Sequence, residues 1–172
     1  HSTLEKWSKT IFKNNASLFH FGGGHDLLLP LITGYQNTTK AKPILIYLDH
    51  HADTRPIKDG PHSGTWCSQL QEKNILTQTI LIGLNPLKNT NETLINCKKH
   101  NIDYTPYTWK NIQKKGFKAC LKPLLTHLSK THPNTPILLS ICADSVQSIP
   151  SSAGNHNIGY TPQDTYWLIQ SL

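Results

Sequence analysis

The sequence predicts an α/β protein built on a mostly parallel sheet. Two observations carry this: apolar runs of strand length recur with helix-period stretches between them, and each run ends in a polar turn bearing glycine or proline. The candidate strands are Ser17–Phe21, Pro43–Leu48, Gln78–Leu84 and Pro136–Ile141, with a shorter one near Asn101–Thr105. Between them, Asp26–Tyr35, Thr65–Lys73, Thr90–His100 and Phe117–Lys130 place apolar residues at helical spacing. Asn89 with Glu92 suggests the start of the third helix, and Thr161-Pro162 opens a last one with a cap followed by proline.

No internal repeat, low-complexity tract or linker divides the 172 residues, so one domain over 1–172 is expected. No apolar run reaches the roughly 18 residues of a membrane span, and the first residues carry no signal-peptide core. Cys67, Cys97, Cys120 and Cys142 are dispersed without a CxxC pair, which argues against a zinc ribbon or a disulfide framework and favours a reducing, cytoplasmic setting. The chain begins with histidine and contains no methionine, so a processed chain or a fragment is expected.

Net charge is +7, but sixteen of the seventeen basic residues are lysines and only Arg55 is arginine. Nucleic-acid recognition draws heavily on arginine, and the lysines are scattered; the densest group, Lys110, Lys114, Lys115 and Lys118, suits a solvated helical face. Neither nucleic acid nor a membrane is an expected partner. A homo-oligomer is compatible with the sequence.

Chemistry concentrates where predicted strands end. Gly22–Asp26, Leu48–Asp53 and Ser140–Asp144 each deliver residues of metal-ligand type, and parallel strands bring such ends together. In Asp49-x-His51-x-Asp53, alternate residues share one side where the chain stays extended. Mixed imidazole and carboxylate ligands suit Mn, Fe or Zn better than Ca or Mg. Taken singly, Gly22–Gly24 reads as a tight turn and Asp49 as a turn former; the fragments gain weight from occurring together and in order. The irregular stretches Thr54–Gly64 and Ser145–Tyr160 follow strands at the same end of the sheet.

Gly23-Gly24-His25-Asp26, Asp49-His50-His51-Ala52-Asp53-Thr54-Arg55-Pro56 and Ser63-Gly64-Thr65 resemble, in order, the GGxHD, DxHxDxR and SGT elements of the ureohydrolase superfamily (arginase, agmatinase, formimidoylglutamase), most closely the formimidoylglutamase branch. Ile82–Asn85 with Asn89–His100, and Ser140–Thr161, resemble later parts of the same pattern. The resemblance runs from about Ser17 onward and implies a three-layer α/β/α arginase-like fold, truncated at both ends. It further implies two Mn2+ ions per subunit: His25 and Asp53 on one, His51 and Asp144 on the other, and Asp49 between them. Cys142 falls where the family has a second bridging carboxylate.

The implied activity is hydrolysis of C–N bonds in a small amidine or guanidine, with formimidoylglutamate giving glutamate and formamide. Asp49, His51 and His62 are the candidate catalytic residues, with His50 or His62 able to relay a proton; His50 should point away from Asp49 and His51 if the strand pleat persists. Arg55, Ser63 and Thr65 are candidates for substrate contact, Arg55 through bidentate pairing with a carboxylate. Two other functions compete: a degenerate, non-catalytic relative, which Cys142 favours, and a DHH-type metallophosphoesterase, which Asp49-His50-His51 also resembles.

Overall fold

The computed structural model describes residues 2–149 and 158–172, so the middle of the predicted Ser145–Tyr160 stretch lies outside the described residues. In chain order the main elements are helix α1 (Ser2–Lys13), α2 (Leu28–Thr39), strand β1 (Ile44–Leu48), α3 (Trp66–Glu72), β2 (Gln78–Ile82), α4 (Asn91–Lys99), α5 (Trp109–Lys115), α6 (Phe117–Thr131), β3 (Ile137–Ile141) and α7 (Pro162–Ser171). The strands form a parallel sheet in the order β2-β1-β3, with Ile44 level with Gln78 on one side and Ile137 on the other.

Alternation along the central strand builds the three layers. Ile44, Ile46 and Leu48 face a core made by Phe117, Leu121, Leu124 and Leu128 of α6 and Leu168 of α7. Leu45 and Tyr47 face the opposite core, with Ile32 of α2, Trp66 and Leu70 of α3 and Cys97 of α4. Strand β1 is buried along its whole length, as expected of a strand covered by helices on both faces. Strand β3, with β1 as its neighbour, is only half-buried.

Three expectations need correction. Ser17–Phe21 is not a strand: it pairs with no strand among the described residues, and Phe19 and Phe21 are exposed. An apolar run signals strand propensity but cannot supply the neighbour that its backbone needs. Asn101–Thr105 contracts to a single bridge, Ile80 to Asp103, in which Asp103 exchanges backbone hydrogen bonds with Thr79 and Leu81 at the outer edge of β2. Asn89 is not the cap of α4; Thr90 is, its side chain accepting from the Thr93 N–H. At the other end of the chain, α7 opens with a full capping box between Thr161 and Asp164.

Helix α1 adds an element that the sequence-based expectations do not include, although Leu4, Trp7, Ile11 and Phe12 recur at helical spacing. Ser8 is fully buried and donates to the Leu31 carbonyl at 2.7 Å. Gly34 on α2 permits this crossing, since a Cβ there would sit 2.7 Å from the Glu5 carbonyl oxygen and the Ser8 Cβ. Lys110, Lys114, Lys115 and Lys118 are all exposed, on α5 and the start of α6. Among the described residues, no helix is long and apolar enough to cross a membrane.

Candidate metal centre

Strands β1 and β3 end side by side, and the residues that leave them turn inward. The Asp49 N–H continues the ladder to the Ile82 carbonyl, and the Cys142 N–H donates to the Leu48 carbonyl at 2.9 Å. Ser145 holds the second turn in place by donating its hydroxyl to the carbonyls of Leu48 and Cys142. Asp144 therefore arrives opposite Asp49, within a short 3-10 turn over Ala143–Ser145.

The chain after Leu48 is not extended, so pleat alternation is not what gathers Asp49, His51 and Asp53. Instead, the Asp49 Oδ1 accepts from the His51 N–H at 2.7 Å, folding the chain back on itself. Asp53 adopts a left-handed backbone with φ of 52°, uncommon for a residue with a side chain. The Tyr47 hydroxyl donates to the Ala52 carbonyl, and the Asn89 carboxamide oxygen accepts from the Ala52 N–H, clamping the loop from two sides. This loop is a built shape with a strained residue at its end.

His25, beyond the glycine turn, brings its Nδ1 to 3.0 Å from Asp49 Oδ2 and 3.1 Å from Asp53 Oδ2. The His51 Nδ1 lies 3.0 Å from Asp144 Oδ2 and 3.3 Å from Asp49 Oδ1. Asp49 is only 1% exposed and touches both imidazoles, one through each oxygen. The approach of His25 is close but lacks hydrogen-bond direction: its Nδ1, Asp49 Oδ2 and Asp144 Oδ1 are all buried without a hydrogen-bond partner. Buried polar atoms are rarely left so, and an unsatisfied carboxylate oxygen in each donor group is what bound cations would satisfy. The donors form two overlapping groups, His25 with Asp49 and Cys142, and Asp49 with His51 and Asp144, so the residues present fit a pair of ions sharing Asp49.

Electrostatics in the metal-free chain follow from this crowding. Burial pulls His25 toward neutrality, but the carboxylates of Asp49 and Asp53 outweigh it and raise its pKa to about 9. His51 rises to about 10, through Asp144 and then Asp49, against a smaller effect of burial. Burial opposes ionisation of Asp49 as well, yet the two histidines hold it well below the usual carboxylate range. Burial dominates at Asp53 and pushes it up despite His25. The Cys142 thiol is pushed far up by burial, with Asp49 and Asp144 adding to the effect.

Outer contacts orient the imidazole and carboxylate groups. The Trp66 indole N–H donates to Asp53 Oδ2 at 2.6 Å while its ring packs 4.6 Å from the His25 ring. Ser140 on β3 hydrogen-bonds His25 Nε2 at 3.0 Å, which leaves Nδ1 to face the carboxylates. Trp66 did not stand out as functional in the sequence, because an apolar helix start carries no motif; Ser140 stood within the ligand-bearing Ser140–Asp144 strand end, but its contact with His25 was not expected.

The remaining candidates fall elsewhere. His50 is fully buried and turned away, its Nδ1 on the Gly83 carbonyl and its ring against Trp109 and Tyr160, so it is not placed to relay a proton. Thr65 is also fully buried; its hydroxyl donates to the His62 carbonyl and accepts from the His62 N–H and the Gln69 side chain, closing the loop instead of facing outward. His62 and Ser63 are exposed on that loop, with His62 Nδ1 accepting from the Gly64 N–H. Arg55 lines a cleft beside the cluster together with His51, Asp53, Lys88, Asn89, Thr90 and Thr93, and its N–H donates to the Gly64 carbonyl.

Known proteins resemble this chain in family and in fold. A model of the arginase family matches residues 1–171. A formimidoylglutamase of Staphylococcus aureus is 28% identical over 148 residues, taking in 78% of this chain and 42% of the relative. One from Geobacillus kaustophilus is 30% identical over 89 residues, 51% of this chain and 28% of the relative. The crystal structure of a Bacillus subtilis formimidoylglutamase superposes with a TM-score of 0.86 at 20% identity, over 99% of this chain and 54% of that one. A Trypanosoma cruzi formiminoglutamase solved with Mn2+ gives 0.78 at 24% identity, over 96% and 56%. The chain spans less than half the length of these two sequence relatives, and the solved structures share its fold.

Proposed function

Since the chain belongs to the arginase family, we propose that it is a metal-dependent hydrolase of linear amidines or guanidines, with formimidoylglutamate, cleaved to glutamate and formamide, as its substrate. One observation carries this reading: Asp49, buried and shared between His25 and His51, lies between two donor groups at the ends of parallel strands. His25 and Asp53 would hold one Mn2+, His51 and Asp144 the other, with Asp49 between them and Cys142 beside the first. When bound, the ions polarise the amidine carbon's substituents and lower the pKa of water.

The chain's own residues do the rest. Asp49, Asp53 and Asp144 supply the negative charge that lets two cations approach each other. Trp66 and Ser140 fix the rotamers of Asp53 and His25. Arg55 at the cleft would pair with a substrate carboxylate. At the exposed loop, His62 has Nδ1 accepting from the Gly64 N–H, which leaves Nε2 as the ring nitrogen that would exchange a proton with substrate. Ser63 is the neighbouring hydroxyl available to substrate; Thr65, buried, sets the loop's shape.

A second reading has one observation in its favour. Cys142 lies among the ligands with its thiol held protonated, and a thiol is a poor ligand for Mn2+. A chain that binds one ion and does not turn over substrate would follow from that. The phosphoesterase alternative loses its footing, since His50 faces away from the cluster.

The test is release of formamide and glutamate from formimidoylglutamate by the Mn-loaded chain, beside agmatine, arginine and guanidinobutyrate. Turnover that vanishes in Asp49→Asn is expected. Metal binding without turnover of any of the four would favour the degenerate reading.

A further inference from the structure

We propose that Lys88 is an anion anchor that makes this site select amidines bearing a carboxylate. The inference deepens the proposed function and rests on it only for the identity of the reacting group. Lys88 ends a 3-10 turn, Pro86–Lys88, between β2 and α4, on a loop that the sequence presents as an ordinary connection. Its Nζ is buried from solvent and has no hydrogen-bond partner among the described residues. An ammonium has three donors and is costly to remove from water without an acceptor.

The surroundings say what the acceptor should be. Lys88 lines the same cleft as His51, Asp53 and Arg55, a narrow recess of about 20 Å3 that opens to solvent beside the metal cluster. Among the described residues Asp53 is the one carboxylate on that lining, and it is already engaged by His25 and the Trp66 indole. Thr90 and Thr93, at the start of α4, add the positive end of a helix to the same wall. Two side-chain cations and a helix start thus face a recess whose described lining offers no free carboxylate to balance them.

The placement is also held firmly. The Asn89 carboxamide donates to the carbonyls of His50 and Asn85 and accepts from the Ala52 N–H. The Lys88 N–H donates to the Asn85 carbonyl at 2.9 Å. The loop that carries Lys88 is therefore tied to the loop that carries His51 and Asp53. A substrate whose amidine reaches the cluster would bring a carboxylate within the recess to Lys88 and Arg55. A cationic guanidine such as agmatine would meet like charge there.

The test reads binding and does not need turnover. L-glutamate and agmatine are titrated calorimetrically into the wild-type chain and into Lys88→Met, Lys88→Gln and Lys88→Arg, each metal-free and Mn-loaded, with thermal unfolding of every variant. The expected result is that wild type prefers glutamate, and that the Met and Gln variants lose roughly tenfold to a hundredfold in glutamate affinity. Agmatine binding should not weaken, and Lys88→Arg should keep part of the preference. Without ligand, the Met variant should unfold no earlier than wild type, because an unpartnered ammonium has been removed. Glutamate binding equal in wild type and Lys88→Met, a wild-type preference for agmatine, no glutamate binding at all, or earlier unfolding with unchanged selectivity would each overturn the assignment. Loss of hydrolysis with the glutamate preference intact would sink the hydrolase reading alone.

Discussion

Metal uptake by the cluster is predicted to expel protons, and the structure sets how many. In the metal-free chain His25 is raised to about 9 and His51 to about 10, so near neutral pH both rings are protonated against Asp49, Asp53 and Asp144. Each ion must take the lone pair of one imidazole, so each displaces about one proton. The apparent dissociation constant should therefore fall about tenfold per pH unit between about pH 7 and 9, and flatten above about pH 10. If Cys142 ligates as a thiolate, the ion beside His25 releases a second proton and its slope doubles, a difference that Cys142→Ala removes. Calorimetric Mn2+ titration in two buffers of different protonation enthalpy counts the protons directly. Uptake near pH 7 with no proton release would refute the reasoning.

The same shifts carry a stability sign. Histidines whose folded pKa lies above the ordinary 6.5 stabilise the metal-free fold fully below that value, and the contribution is lost as pH rises through about 9 to 10. The metal-free unfolding midpoint should thus decline over that window, while the Mn-loaded midpoint rises; parallel curves would contradict the ion-pair account. Gly83→Ala should destabilise by about 2–4 kcal/mol, because φ is +102° and the new Cβ would overlap the Tyr160 hydroxyl; an unchanged denaturation midpoint would count against that packing. Trp66→Phe keeps the ring packing on His25 but deletes the hydrogen bond to Asp53, so metal affinity should fall about tenfold to a hundredfold with little loss of fold. Ser140→Ala should act in the same direction through His25, read by the same titration.

How much of this the sequence disclosed depends on the kind of interaction. The buried strands were legible because Ile44–Leu48 and Gln78–Ile82 are continuous apolar runs between turn signals. Helix α1 has a legible signal too, Leu4, Trp7, Ile11 and Phe12 at helical spacing; what that spacing does not contain is the burial of Ser8 against the Leu31 carbonyl. Ser17–Phe21 has strand composition without a paired neighbour among the described residues, a fact no local pattern contains. At the cluster, Asp49, His51 and Asp53 were marked by their spacing, yet the stated reason failed: a turn about Asp49 and a left-handed Asp53 bring them together, not a pleat. Trp66 and Lys88 became visible only in three dimensions, the first through a partner 13 residues away and the second through a recess that several loops share; for Ser140 and Asn89 the residues were marked but their long-range partners were not.

The most direct measurement is the metal content of the purified full chain after Mn2+ loading, by elemental analysis, beside Cys142→Asp. The account predicts two ions per chain, either in the native protein or restored by the aspartate, and one fewer in Asp49→Asn, whose shared carboxylate is gone. Fewer than two ions in both the native chain and Cys142→Asp, or content indifferent to Asn at position 49, would contradict the claim that these strand ends form a two-ion centre.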